Sequence, residues 1–469
     1  MQNLDVKKEN SLIFLIFLLF QPVIIWTICL GYQFEVLGLL LCLIILVSLV
    51  TNIKNGIVFF PLFLYEPITG PAGFQFSEIF VLLFFVVTLM TTLIEKQKRI
   101  VRFPLLIVFL LIIVSYILSL IKATYIVPGL KYLVRTIEAI FVFYIVYNYI
   151  YKLKYIKNIL IGVVVAGVIA SLHGIYQFYT GTGNIMGFER RIFGLQGGGY
   201  GAFIGTSIIC ALSLILYSTY APFIKSLLVL CVPILGVALI LHQTRAWYLS
   251  TFLAILFLLL KFKRKRKSYI FILLSIFVTF ILLLLKTNLF GILPENLFQY
   301  AQKTAFQVGL PAEQSKGKLL SVLSRLYLWW KGFQLFKTSP IFGFGLGNLR
   351  FKNMLTGELG DPTNPRCGFI DNQYLNILYE TGIIGGICWF ILIFRTFSTA
   401  KKLLAITREP DWQSIAFALI GSLIVFFVGG FFWCITVTHE MIVFLFFLLG
   451  LTFLSLQLQQ EFNIVNVKK

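Results

Sequence analysis

The stretch AWYLSTFLAILFLLLKFKRKRKSYIFILLSIFVTFILLLLK, residues 246–286, holds two long apolar runs with a basic segment between them. At about 1.5 Å per residue, a helix of about 16 to 24 apolar residues matches a hydrocarbon core about 30 Å thick. The basic segment, Lys261 to Lys267, is of the kind that the positive-inside rule places in the cytoplasm. The stretch therefore predicts two helical membrane spans joined by a cytoplasmic loop.

Apolar runs of this kind recur along the chain and set the expected fold class. Hydrophobic residues make up 59% and charged residues 12% of the 469 residues, which is far from the composition of a soluble protein. We expect an all-α fold, a polytopic transmembrane helix bundle of about 12 to 14 spans. Besides 246–262 and 268–287, the candidate helices are 11–31, 36–51, 76–94, 103–121, 130–150, 158–180, 200–220, 223–241, 383–399, 412–433 and 437–457. A further apolar piece, 56–66, is too short to cross alone.

The net charge of +21 does not indicate a nucleic-acid partner, because the basic residues lie between the spans and not on a soluble domain. Their expected partners are membrane lipids. By the positive-inside rule, four basic groups are cytoplasmic: Lys96 to Arg102, Lys152 to Lys157, Lys261 to Lys267 and Lys401 to Arg408. Six of the seven cysteines lie in apolar runs, so no disulfide framework is expected.

Alternation of the spans divides the chain into three parts. Residues 1–287 are expected to form N-terminal transmembrane helices, 288–381 a large extracytoplasmic loop, and 382–469 C-terminal transmembrane helices that end in the cytoplasm. Within the loop, apolar residues that include Trp329 and Trp330 recur at helical spacing. This pattern predicts an amphipathic helix in the membrane interface, ended by a proline at position 340.

Arginines gather on the side that this topology places outside the cell. They are Arg190, Arg191, Arg245 and Arg325. A guanidinium group grips a phosphate through paired donors. The alternative is that each arginine anchors a helix end among lipid headgroups, but as a set they favour the binding of an anionic substrate.

A charged pair, Arg135 and Glu138, lies inside a predicted span. The two residues are three apart and so face each other along the helix. A charged pair inside a span is a functional candidate, and a structural ion pair is the alternative. All three histidines, His173, His242 and His439, fall in the outer halves of their predicted helices.

The segment SPIFGFGLGN, residues 339–348, carries three glycines at alternate positions. They do not fit the dinucleotide-binding fingerprint, which needs the spacing G-x-G-x-x-G between a strand and a helix. Freely oriented amides in such a segment could cradle an anion. A tight turn within a loop is the other interpretation.

The segment DNQYLNILYETGIIGG, which begins at Asp371, predicts a short polar helix at the mouth of a span. Asp371 is expected to cap a helix that starts at Asn372. Asn372, Asn376 and Glu380 recur every four residues and so share one face. Gly382 is expected to end this helix before the next span begins.

Together these motifs resemble the O-antigen ligase and polymerase group of bacterial surface-polysaccharide enzymes. That group has a histidine-asparagine pair, about nine residues and then G-x-x-G. The pair follows a long outer loop with an arginine-plus-tryptophan helix and a P-x-x-G-x-G-x-G-N turn. Here Arg325 with Trp329 is followed by Pro340 to Asn348 and by Asn372 to Gly385, and the resemblance covers about 190–390. Asp371 stands in place of the histidine, which favours a polymerase or related transferase over a strict lipid A-core ligase.

The resemblance implies a glycosyltransferase whose donor is a glycan on a polyprenyl diphosphate, at the outer face of the bacterial cytoplasmic (inner) membrane. Asp371 or Glu380 would take the proton of an acceptor hydroxyl, and Arg245 would meet the charge on the leaving diphosphate. The other residues expected at the diphosphate are Arg190, Arg191, Arg325, Asn348 and Asn372. No D-x-D pair or His/Cys cluster appears in the sequence, so neither a metal nor a cofactor is expected. Polysaccharide-export and chain-length proteins are candidate partners.

A membrane transporter is the competing function. Outer arginines could form a selectivity ring for a small anion such as bicarbonate. Transporters tend to show repeated halves and broken helices at the midplane, whereas the irregular sequence here is concentrated in one outer loop. Lipid-linked glycan that accumulates in a deletion strain would favour the enzyme, and altered ion uptake would favour transport.

Overall fold

The computed structural model describes residues 56–58, 60–61, 81, 84–86, 88, 103–180, 199–242, 244–261, 329–330, 332–334, 336–348 and 372–467. Within these ranges the regular secondary structure is helical and no strand occurs. The longer helices are α1 Leu106–Leu120, α2 Ile126–Tyr149, α3 Leu153–Thr180, α4 Tyr200–Tyr217, α5 Pro222–His242, α6 Arg245–Lys261, α7 Gln373–Ile406, α8 Pro410–Gly429 and α9 His439–Val467. A short 3-10 helix, Ile435–Val437, precedes α9.

These helices confirm the predicted all-α class and a multi-pass membrane protein. Six of them, α3, α4, α5, α7, α8 and α9, are long and apolar enough to cross a membrane. Helix α2 has a similar length but carries Lys131, Arg135 and Glu138. The predicted runs at 11–31, 36–51 and 268–287, and most of 76–94, lie outside the described residues. The expected count of about 12 to 14 spans and the division at 287 and 381 therefore stay predictions.

Helix α4 forms the centre of the bundle because its small residues let neighbouring helices approach closely. It is buried over almost its whole length, whereas most of α5 faces outwards. A Cβ added at Gly201 would overlap Trp247, and one added at Gly205 would overlap Thr251. Both of these partners lie on α6, so the two glycines bring α6 against α4.

One end of the bundle gathers the loops that hold the predicted site, and we call it the turn end. There the Leu346 amide of segment 339–348 donates to Ser119 Oγ at the end of α1, 3.2 Å away. The Gln373 amide at the start of α7 donates to the Gly430 carbonyl beyond α8, at 2.7 Å. Segment 339–348, the α1–α2 loop and the loop 430–438 are therefore neighbours in space.

The opposite end, the latch end, is held by a charged cluster around Asp411. Its carboxylate accepts hydrogen bonds from the amide and the hydroxyl of Thr219, each at 2.8 Å, and contacts Lys157 Nζ at 2.8 Å. Lys157 Nζ also lies 4.1 Å from the centre of the Tyr220 ring. Burial, and then the charge of Asp411, raise the pKa of the Tyr220 phenol to about 12. The cluster joins the beginnings of α3 and α8 to the α4–α5 loop.

Three of the predicted basic groups meet at this latch end, as the topology requires. The α2–α3 junction carries Lys152, the α7–α8 loop carries Arg408, and α6 ends at Lys261. The positive-inside rule predicts from these groups that the latch end is cytoplasmic and the turn end extracytoplasmic, and this orientation stays a prediction. The last turns of α9 return to the latch end, since the ring of Phe462 lies 6.5 Å from that of Trp412.

Candidate functional site

The predicted polar helix exists as the first part of α7, residues 373–381, but its cap differs from the prediction. Asn372, not Asp371, is the N-cap. Its backbone is extended, and its Oδ1 accepts hydrogen bonds from the Tyr374 and Leu375 amides, each at 3.0 Å. The helix therefore begins at Gln373, one residue later than expected. Asp371 lies outside the described residues.

The polar face of this helix is buried in the bundle. Asn376 Nδ2 donates to Glu380 Oε2 at 3.2 Å, which confirms that the two side chains share a face. Glu380 is only 4% exposed, and the Tyr116 side chain in α1, with its hydroxyl, is buried as well. That hydroxyl accepts a hydrogen bond from Trp389 Nε1, at 2.9 Å. Asn376 and Glu380 thus belong to a polar centre between α1 and α7.

Gly382 breaks the helix where the sequence predicts a stop. Its φ of 69° and ψ of −170° lie in a region open essentially to glycine alone. The carbonyls of Tyr379 and Glu380, just before the break, accept hydrogen bonds from outside the helix. A regular helix then continues from Ile383 as the span.

Segment 339–348, the glycine turn, docks directly onto this break. The Phe344 amide donates to the Tyr379 carbonyl at 2.9 Å, and the Gly345 amide donates to the Glu380 carbonyl at 3.0 Å. In return the amide of Ile383 donates to the carbonyl of residue 340, at 2.9 Å. The turn thereby satisfies carbonyls that end a helix.

This docking decides between the two interpretations of the glycine turn in favour of a tight structural turn. Its three alternate glycines, Gly343, Gly345 and Gly347, all have positive φ. The amides of residues 343 to 346 donate to protein oxygens at distances of 2.9 to 3.2 Å. Those four amides are therefore engaged within the protein and do not form an anion cradle.

Asn348 ends the turn and fixes it to the α1–α2 loop. Its Oδ1 accepts from the Tyr125 amide at 2.7 Å, and its Nδ2 donates to the Tyr125 carbonyl at 2.9 Å and to the Leu346 carbonyl at 3.1 Å. The residue is 5% exposed. A direct contact between Asn348 and a phosphate stays a prediction, while its role in holding the turn is visible.

The part of 321–338 that the structure describes is helical up to residue 336, as predicted, while the place of this helix in the membrane interface stays a prediction. Residues 329–330, 332–334 and 336 are helical. The Tyr379 hydroxyl donates to the Trp329 carbonyl at 3.0 Å, and Phe336 packs against the Tyr379 ring. Trp330 and Phe333 remain exposed, as expected of side chains that face lipid headgroups. Arg325, which the sequence predicts at the head of this helix, lies outside the described residues.

The start of the polar helix is tied to the loop 430–438 by Gln373. Its Oε1 accepts from the Thr436 amide at 2.8 Å, and its Nε2 donates to Thr436 Oγ1 at 3.1 Å. The sulfur of Cys434 lies 3.5 Å from the same Oε1. Sequence reasoning missed Gln373 because a glutamine beside a cap carries no signal of a partner 63 positions away.

A carboxylate and an imidazole meet at the beginning of α9. Glu138 Oε2 of α2 lies 2.9 Å from Nε2 of the fully buried His439. The sequence suggests only Arg135, three residues earlier on the same helix, as a partner for Glu138. The contact with His439 joins residues about 300 positions apart, which no local pattern reveals.

Of the four arginines expected at the diphosphate, Arg245 is the one that the structure describes, and it begins α6 at the turn end. Its side chain is exposed, while Thr244 and Trp247 beside it are buried. A Cβ at Gly429 would overlap Trp247, so α6 packs closely against the end of α8. Arg190 and Arg191 lie outside the described residues, as do Arg325 and Asp371.

The turn end therefore joins Arg245, the glycine turn with Asn348, and the polar helix with Asn372 and Glu380. All of these pieces lie within residues 229–390, which match the family model described as O-antigen ligase. No curated protein matches the chain. The matched range covers Arg245, Arg325 and segment 339–386 but not Arg190 or Arg191. The resemblance seen in the sequence is thus confirmed: the chain carries a domain of the O-antigen ligase family at residues 229–390.

Proposed function

We propose that the protein is a membrane glycosyltransferase that polymerises or ligates polyprenyl-diphosphate-linked glycans of the O-antigen or exopolysaccharide type. The observation that carries this proposal is the capped polar helix 372–381, held beneath the glycine turn at one end of an apolar bundle. That arrangement lies inside the region matched to the O-antigen ligase family. It supplies a fixed helix start at one end of the bundle, directly after Asp371 in the chain, where the lipid-linked substrate would bind.

The reaction breaks the bond between an anomeric carbon and a phosphate. The leaving group is a lipid diphosphate, so negative charge develops on its bridging oxygen and must be stabilised. Arg245 is exposed at the turn end, where its guanidinium can pair with phosphate oxygens. Arg190, Arg191 and Arg325 are its proposed companions. With arginines in this role, the reaction proceeds without a bound metal or cofactor.

An acceptor hydroxyl attacks the anomeric carbon and must lose its proton. Asp371 is the proposed base, because it directly precedes the Asn372 cap at the start of the polar helix. Glu380 is the second choice, since its carboxylate is buried and accepts a hydrogen bond from Asn376. Asn372 uses Oδ1 for the cap, so its proposed contact with the diphosphate is through Nδ2.

The remaining residue and the wider setting follow from the same arrangement. Asn348 acts by holding the glycine turn in place over the helix break. The turn end faces the outer side of the bacterial cytoplasmic membrane, with residues 288–381 as the extracytoplasmic loop and with the C-terminus inside. Export and chain-length proteins are the proposed partners that receive the glycan.

A small-anion transporter is not favoured. The family match concerns an O-antigen ligase. The carbonyls just before the helix break at Gly382 accept hydrogen bonds from the glycine turn, so they are already occupied. A broken helix in a transporter would instead leave its backbone groups available to a substrate or an ion.

The test is polymer formation in cells that carry single substitutions. Asp371→Asn and Arg245→Ala should each abolish chain growth and leave lipid-linked glycan accumulating, with the protein still present in the membrane. Matched controls are Asp361→Asn, in the same loop, and Arg408→Ala, an exposed arginine at the latch end. Normal polymer in both site variants would refute the assignment.

A further inference from the structure

Gln373 makes a set of contacts that its neighbours in the polar helix do not make. It is 3% exposed and points away from the helix toward the loop 430–438. Its side-chain amide engages two groups of a single residue: Oε1 accepts from the Thr436 amide at 2.8 Å, and Nε2 donates to the Thr436 hydroxyl at 3.1 Å. The backbone amide of Gln373 adds a third attachment, to the Gly430 carbonyl at 2.7 Å.

The loop on the other side of these contacts is itself fixed. Its first residue, Gly430, donates its amide to the Phe426 carbonyl of α8 at 2.8 Å. Its last residue leads into α9 at His439, whose Nε2 lies 2.9 Å from the carboxylate of Glu138 on α2. The loop thus joins α8 to α9. Gln373 attaches the polar helix to this loop by hydrogen bonds, and the neighbouring Tyr374 ring packs against Phe431, with the ring centres 4.5 Å apart.

The position of Gln373 in the chain gives this attachment its consequence. Gln373 follows directly on the Asp371–Asn372 pair, so its contacts set the place and rotation of the first turn of the helix. The far end of the same helix is held separately, by the glycine turn at the Gly382 break. Loss of the Gln373 side-chain contacts would leave this end held by the Gln373 backbone amide and by Tyr374, whose hydroxyl donates to the Phe427 carbonyl at 2.6 Å. The first turn would therefore loosen, while the other end stays docked.

We propose that Gln373 is a positioning residue that, through Thr436, holds the Asn372 cap and the first turn of the polar helix, directly after the proposed base in the chain, in the orientation that glycan transfer requires. This inference rests on the proposed function. It assigns to Gln373 no contact with the substrate. Its effect should appear in the rate of the bound complex, because a shift of about 1 Å at a reacting group costs about 10²-fold in rate.

Three substitutions separate positioning from general stability. Gln373→Leu keeps a similar volume but removes both the acceptor and the donor, so the Thr436 amide loses its partner. Gln373→Glu keeps an oxygen for that amide, and the Thr436 hydroxyl can rotate to donate to it. Thr436→Val removes only the hydroxyl and leaves the amide contact in place.

The measurement is steady-state glycan transfer by purified full-length protein in liposomes, with a synthetic polyprenyl-diphosphate oligosaccharide as donor. We expect Gln373→Leu to lower kcat by about 10²-fold with KM for the donor unchanged. Gln373→Glu should retain most of the wild-type kcat, and Thr436→Val should lower kcat less than Gln373→Leu does. Rates are expressed per folded protein, judged by thermal melting of each sample, so that a purely structural role would leave kcat unchanged.

The possible outcomes are distinct. If the wild-type protein transfers glycan and Gln373→Leu has the same kcat, this inference is overturned and the proposed function is not. A raised KM without a fall in kcat would do the same, because it would place Gln373 in substrate binding. If Gln373→Leu does not accumulate, a Gln373→Glu variant slower than Thr436→Val would overturn it. No transfer by the wild-type protein would overturn the proposed function, and this inference with it.

Discussion

Substitution of Gly382 by alanine should separate the glycine turn from the polar helix. Gly382 has a φ of 69° and a ψ of −170°, a conformation that an L-residue with a side chain avoids. An added Cβ would overlap the carbonyl group of Ile341 and lie 2.6 Å from the Phe342 nitrogen. These are backbone atoms that cannot rotate away, so the turn itself must move.

The size of the effect follows from the hydrogen bonds that the movement would break. Three backbone hydrogen bonds join the turn to the break. They run from the Ile383 amide to the Pro340 carbonyl at 2.9 Å, from the Phe344 amide to the Tyr379 carbonyl at 2.9 Å, and from the Gly345 amide to the Glu380 carbonyl at 3.0 Å. Each contributes about 1 kcal/mol net, and the backbone strain adds about 1 to 3 kcal/mol. A total of about 4 to 6 kcal/mol shifts the equilibrium between docked and detached turn by about 10³- to 10⁴-fold.

The assay combines polymer formation in cells with the melting temperature of the purified protein. Gly386→Ala is the matched control, because it lies one turn later in the same helix and its Cβ would meet only the end of the Leu378 side chain, at 3.1 Å. We expect Gly382→Ala to lose polymer and melt at a lower temperature, and Gly386→Ala to behave like wild type. Wild-type polymer and an unchanged melting temperature in Gly382→Ala would refute the docking argument.

Two further substitutions test the two ends of the bundle. Asn348→Ala removes three hydrogen bonds to the turn and the α1–α2 loop, which should destabilise that end by about 2 to 3 kcal/mol. Hydrogen exchange should accelerate at the Tyr125 amide and not at the latch end, and unchanged exchange would contradict the assignment. Asp411→Ala should lower the free energy of unfolding by about 1 to 2 kcal/mol, because it breaks the contacts with Thr219 and Lys157. Asp411→Asn retains the Thr219 contact and should lower the free energy of unfolding less. Transfer activity should stay intact in both variants. Equal melting temperatures for Asp411→Ala and wild type would show that the Asp411 contacts do not stabilise the latch end.

The helices were largely predictable from sequence because each depends on its own apolar run. The predicted run 246–262 corresponds to Arg245–Lys261, and 158–180 corresponds to Leu153–Thr180. The break at Gly382 was also predictable, since glycine weakens a helix wherever it occurs. The error at the polar helix is of one residue. Asp371 and Asn372 are both good caps, and only the three-dimensional structure shows that Asn372 serves.

The long-range contacts were not predictable from sequence, because local patterns do not specify partners. The glycine turn looked able to bind an anion, since its sequence does not show that its amides are used by the carbonyls of Tyr379 and Glu380. Glu138 contacts His439 on another helix, and Gln373 binds Thr436. Such pairs join segments 63 to about 300 positions apart and follow from the packing of the helices.

The central claim is that this protein transfers a glycan from a polyprenyl diphosphate with Asp371 as the base. The most direct measurement uses purified protein in liposomes with a labelled polyprenyl-diphosphate oligosaccharide and a metal chelator, and follows the glycan and the released lipid diphosphate together. The wild-type protein should form one new glycosidic bond for each lipid diphosphate released, and Asp371→Asn should form none. Absence of transfer by the wild-type protein, or a full rate in Asp371→Asn, would contradict the account.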